Sequence, residues 1–80
     1  MSRQISLQGQ IDEVAGELTR RADQYPRAVR AGRMKQAEAD YRTERMRAVA
    51  RTLDWIQRHQ ATITAAVAAV ATAEAAKESA

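Results

Sequence analysis

Cysteine and phenylalanine are absent from the chain, histidine, tryptophan and proline each occur once, and glycine occurs three times. Without cysteine there is no disulfide to staple the fold and no thiolate to hold a metal, a usage that fits a reducing compartment. A lone histidine removes the usual zinc clusters as well. No stretch approaches the run of about eighteen strongly apolar residues that a membrane span needs. The opening residues 1–6 also lack the basic-then-apolar order of a secretory signal. The expectation is a protein of the cytoplasm, with no membrane partner.

What remains is a chain of 80 residues rich in alanine and arginine, both strong helix formers. Its β-branched residues are scattered and never alternate, so a sheet is not expected. A domain this short buries only about 60% of the surface it exposes when unfolded, which makes the core thin and a partner helpful. The expected class is all-α: an antiparallel helical hairpin with a short elbow and a long second helix, one domain over residues 1–80, paired with a second copy as a helical bundle or coiled coil.

The first helix is expected over about residues 8–25, because Leu7, Ile11, Val14, Leu18, Ala22 and Tyr25 recur every three or four residues along one face. Glu17 and Arg21 stand four apart with the acid first, the favourable order for a surface pair. Pro26 is expected to end this helix, since proline cannot donate the next helical bond and forces the residue before it out of the helical region. Residues 26–32 then read as a proline-started elbow closed by Gly32 as a C-capping glycine.

The second helix is expected over about residues 34–72, with residues 73–80 as a frayed tail. One stripe holds Met34, Ala37, Tyr41, Ala48, Thr52 and Trp55. The adjacent stripe, Met46, Val49, Leu53, Ile56, Gln60, Ile63, Val67 and Val70, follows the strict three-four alternation of a coiled-coil seam. Glu38 with Arg42 and Asp54 with Arg58 are expected as supporting pairs. At ~1.5 Å per residue such a helix is almost twice as long as the first, so its far end outruns its partner. Two arrangements satisfy that: a bend near His59, Gln60, Ala61 and Thr62 that folds the end back, or a tail that pairs with another subunit. The absence of a turn residue favours pairing, with Leu53, Ile56, Ile63, Val67 and Val70 as the dimer contacts.

The chemistry of catalysis has little to work with here. Asp12, Glu13 and Glu17, or Asp40 and Glu44, are acidic neighbours, but the Glu-x-x-His pattern of a carboxylate metal centre is missing. Asp54 and His59 are five apart and face each other poorly, and Gly9, Gly16 and Gly32 form no phosphate loop. The expectation is a non-enzymatic protein with no cofactor, no metal and no small-molecule substrate.

Charge and aromatics point to two kinds of macromolecular partner. The formal charge is only +3, yet Arg20, Arg21, Arg27, Arg30, Arg33 and Lys35 crowd one stretch opposed by Asp23 alone, so a basic dimer contacting DNA or RNA is one reading. Against it, the same arginines serve equally as a solvated face that keeps an alanine-rich protein soluble. Trp55 is either a core or seam residue beside Tyr41 and Ile56 or, together with Tyr41 and flanked by Arg51 and Arg58, an anchor for another protein. The favoured reading is a protein-binding module using Tyr41, Arg51, Trp55 and Arg58. A purely structural assembly component is a third reading.

The stretch from Arg21 to Arg42, with Tyr25-Pro26, then Gly32, then Ala37-Glu38-Ala39, continues into Met46, Ala48, Val49, Thr52 and Leu53. This arrangement resembles a pattern in small uncharacterised helical proteins of bacteriophages and prophages. It covers less than half of the chain and names no activity. What the resemblance implies is a compact accessory protein, made in the cytoplasm of a bacterial host, that binds and modulates a host protein, as an inhibitor or a recruiter.

Overall fold

The computed structural model describes residues 3–79, and over them the fold is all-α, with three helices and no strand. Helix α1 spans Leu7–Arg30, α2 spans Gln36–Arg58 and α3 spans Gln60–Ser79. Ser6 caps α1, its hydroxyl oxygen accepting from the Gly9 N–H at 3.0 Å, so Gly9 sits inside a secured first turn.

Pro26 does not end the first helix, and the expected elbow over residues 26–32 is corrected: α1 runs through the proline for four further residues. Proline in a helix interior removes one bond, here the one that would reach the Ala22 carbonyl, and Ala22 is exposed so that water can satisfy it. Tyr25, Ala28 and Val29, half-buried on either side of Pro26, hold the helix together across it. Gly32 supplies the true stop. Its φ is +75°, its N–H bonds to the Val29 carbonyl at 3.1 Å, and the Arg33 N–H bonds to Ala28 at 2.9 Å, a Schellman closure. Residues 31–35 are the connection.

The hairpin is antiparallel. At its open end Gln57 Nε2 donates to Gln8 Oε1 at 2.8 Å, and nearer the turn Arg21 Nη1 donates to the Arg42 carbonyl at 2.8 Å. Leu7, Ile11, Val14, Leu18, Arg21, Tyr25 and Ala28 are the half-buried row of α1, a strict four-three alternation. Ala22, expected on that face, is exposed, and Arg21 takes its place. The facing row of α2 is Ala39, Thr43, Met46, Ala50 and Leu53, again alternating four and three. Among the described residues only Ala39 is buried, at 4% exposure, where a small side chain lets the two backbones approach.

The expected single helix over residues 34–72 is two helices in the structure. The break is one residue, His59, with φ −109° and ψ 12°. The chain nevertheless goes straight on, because the His59 N–H still reaches the Trp55 carbonyl at 3.1 Å and the Ile63 N–H reaches the His59 carbonyl at 2.9 Å. The tail expected to fray is helical to Ser79, residue 80 lying outside the described residues. Among the described residues α3 touches α2 only, at this joint, and nothing of α1.

The result is a rod. The molecule measures 67 × 28 × 22 Å and its radius of gyration is 19.6 Å, against about 12 Å for a compact chain of this length. A 24-residue α1 covers about 36 Å of that rod. The remainder is α3 standing alone.

Candidate interaction surface

The side of α2 turned away from α1 carries its largest side chains. Because Ala39, Thr43, Met46, Ala50 and Leu53 face inward, positions half a turn round the helix face outward, and these include Tyr41, Ala48 and Trp55 at intervals of seven residues. Trp55 is therefore no core residue: it is 53% exposed, and Tyr41 is exposed as well. The reading of Trp55 as a core residue beside Tyr41 is corrected for a simple reason. On α2 the inner row is mostly small, Ala39, Thr43 and Ala50 beside Met46 and Leu53, and the two aromatics are left on the outside.

Each aromatic on this face is held by a neighbour one turn away. The Arg45 guanidinium lies 5.4 Å from the Tyr41 ring centroid, within cation–π range. The His59 ring stands 4.6 Å from that of Trp55, tilted by 39°. Arg51 and Arg58 flank Trp55 at four residues before and three after, and Arg58 is steadied by Asp54 at 3.0 Å. Ala48, Arg51, Thr52 and Trp55 line a shallow open groove between them. Tyr41, Arg51, Trp55 and Arg58 thus share the outer side of one helix.

The seam residues divide between two environments. Leu53, Ile56 and Ile63 are half-buried, the first at the edge of the α1 contact, while Val67 and Val70 stand 63% and 58% exposed on α3. Val49, in the same alternation, is exposed too. A second groove, lined by Arg21, Arg42, Arg45, Met46, Ala48 and Val49, opens beside the seam where α1 and α2 meet.

The basic stretch proves less free than its sequence suggests. Arg20 pairs with Glu13 at 3.3 Å and Glu17 at 3.0 Å, and Arg27 pairs with Asp23 at 2.9 Å. Arg21 pairs with Glu17 at 2.8 Å and its side chain is only 19% exposed, its guanidinium 5.7 Å from the Tyr25 ring. The Arg21 and Arg20 guanidiniums beside Glu17 hold its carboxyl below the usual carboxylate range. Of the stretch from Arg20 to Lys35, Arg30, Arg33 and Lys35 make no ion pair among the described residues, so its cations open to an anionic partner lie around the turn; Arg45, Arg47 and Arg51 on α2 are without an ion pair as well. The pairs expected between Glu17 and Arg21, Glu38 and Arg42, and Asp54 and Arg58 are all present.

No signal in the sequence drew attention to Gln8, Gln57 or the Arg42 carbonyl, which together fix the register of the hairpin. Among the described residues no three His, Cys, Asp or Glu side chains gather as a metal site would require, and no helix is long and apolar enough to cross a membrane. No family model, curated protein or solved structure matches the chain.

Proposed function

We propose that this chain is a non-enzymatic protein-binding module that works as a homodimer and presents the outer face of α2 to its target. The observation that carries the reading is the exposure of Trp55 and Tyr41 on one helix face, each braced by a cationic or aromatic neighbour. Large aromatics with adjacent arginines are the side chains that dominate protein interfaces, and holding them in place before binding lowers the ordering entropy of association. Arg51 and Arg58 beside Trp55 favour a target surface with carboxylates around an apolar pocket. Dimerisation uses Leu53, Ile56, Ile63, Val67 and Val70. The resemblance to phage and prophage proteins extends the proposal: the target is a protein of the bacterial host cytoplasm, whose action the module modulates.

A second reading, a basic dimer on DNA or RNA, draws on the unpaired Arg30, Arg33 and Lys35. It is weakened by the internal pairing of Arg20, Arg21 and Arg27. One experiment separates the two. In affinity capture from bacterial lysate treated with nuclease, the protein reading expects a bound protein that survives nuclease and moderate salt and is lost with Trp55→Ala. Capture that vanishes with nuclease, falls steeply with salt and depends on Arg30, Arg33 and Lys35 would instead establish the nucleic-acid reading.

A further inference from the structure

The seam that crosses from α2 onto α3 reads nearly alike in both directions. Outward from Gln60, Leu53 and Val67 both stand seven residues away and Met46 and Glu74 fourteen, while Ile56 and Ile63 stand four and three away and Val49 and Val70 eleven and ten, each pair within one residue of level. A pattern that reads alike in both directions meets itself when two helices run antiparallel, which is what a two-fold interface between identical chains requires. We propose, building on the self-association above, that two copies pair antiparallel about Gln60, each laying its α3 along the partner's α2.

Surface area supports a second copy as the occupant. The chain exposes 6711 Å², whereas a compact protein of its mass exposes about 4,800 Å². The difference, about 1,900 Å² for each chain, is more than twice the roughly 800 Å² per partner of an ordinary specific interface and falls in the range of obligate dimers. Among the described residues α3 has no helix packed along it, which leaves its length and one flank of α2 open.

Charge sets the register. From Gln60 to Ala73 the seam helix carries no charge, and its first ionic residues beyond are Glu74, Lys77 and Glu78. In this register Glu74 arrives opposite Met46 and Glu78 opposite Arg42, at the groove lined by Arg21, Arg42, Arg45, Met46, Ala48 and Val49. Two carboxylates enter a groove walled by three guanidiniums, of which Arg21 and Arg42 already hold Glu17 and Glu38 and Arg45 has no ion pair among the described residues. Parallel pairing would set Glu74 beside Glu74 and bring no carboxylate to Arg45. The apolar face of α3, where Ala66, Val67, Val70 and Ala71 form a shallow depression, then covers Val49 and Ile56. Ala48 and Val49 are consecutive and so point about 100° apart. Tyr41 and Trp55 therefore face away from the pairing flank, once on each copy, while Ala48 stands at its edge.

The absence of native cysteine makes the register directly measurable. Full-length Val49→Cys and Val70→Cys chains, both altered at exposed positions, are mixed and oxidised mildly. Antiparallel pairing brings the two thiols of different chains together while keeping like positions about 32 Å apart, far beyond disulfide reach, so the mixture should give about tenfold more linked dimer than either variant alone. Linked dimer from each variant alone would establish parallel pairing and overturn the proposal. A native mass of two chains with no linkage in the mixture would overturn this register while leaving self-association standing, and a native mass of one chain would remove both. A charge-swapped pair gives an independent reading. Glu74→Lys with Glu78→Lys in one chain, and Arg42→Glu with Arg45→Glu in the other, should form mixed dimers well above the statistical share. Statistical mixing would contradict the proposed meeting of these side chains.

Discussion

Arg21 donates from Nη1 to the backbone carbonyl of Arg42 at 2.8 Å, a bond from the middle of one helix to the backbone of the other. The same guanidinium donates from Nε to Glu17 at 2.8 Å and lies over Tyr25, so one side chain ties two turns of α1 to α2. An arginine so placed on the inner row buries its aliphatic stem and spends its planar fork on fixed acceptors.

Arg21→Ala should therefore destabilise the hairpin by about 1–2 kcal/mol, the worth of charge-assisted bonds plus lost packing. Arg30→Ala, a change at an exposed cation without a pair, should stay within about 0.5 kcal/mol. Denaturant midpoints followed by helical circular dichroism compare the two, and equal effects would contradict the role given to Arg21.

The row containing Arg21 shows how far the sequence could be read. The three-four spacing of Leu7, Ile11, Val14, Leu18 and Tyr25 located the first helix and its inner face, because periodicity records which way side chains point. It misplaced one position, preferring Ala22 over Arg21, since apolar character stood in for direction and a long cationic side chain lies along an apolar face as readily as alanine does. The second helix was harder. Its inner row is made of Ala39, Thr43 and Ala50 around Met46 and Leu53, small residues of little hydropathy, while Tyr41 and Trp55 gave the louder signal from the outside. Pro26 was a propensity argument overridden by packing, and His59 carries no helix-breaking chemistry at all.

Two substitutions at the end of α1 should act in opposite directions. Pro26→Ala restores a helical bond and should stabilise by about 1–2 kcal/mol, the interior proline penalty less the entropy that proline removes from the unfolded chain. Gly32→Ala should destabilise by about 1 kcal/mol, since the +75° φ of the closure strains any side chain. Thermal unfolding of the two variants checks both signs.

Glu17 gives the fold a pH dependence. Its carboxyl is held below its ordinary range by Arg21 and Arg20, so the folded state binds its proton less readily than the unfolded state. The stabilisation is complete above the unfolded pKa and is lost as pH falls through the folded one. Glu17→Gln should be less stable than the native chain near neutrality, and the gap should close on acidification. A gap unchanged from neutral to strongly acidic pH would show that the ion pairs contribute nothing.

Trp55→Ala should leave helicity and self-association unchanged, since its ring lies against His59 on the outer side of α2 and is half exposed. It should abolish capture of the protein target. Loss of helicity in this variant would mean that Trp55 supports the fold after all.

Ile63, Val67 and Val70 head an apolar seam along which, among the described residues, no helix of the same chain packs. Sedimentation equilibrium of the native chain beside Val67→Asp with Val70→Asp tests it most directly. The prediction is two chains for the native protein and one for the variant, whose α1 and α2 remain folded because neither valine touches them. A native protein that sediments as one fully helical chain at every concentration would contradict it.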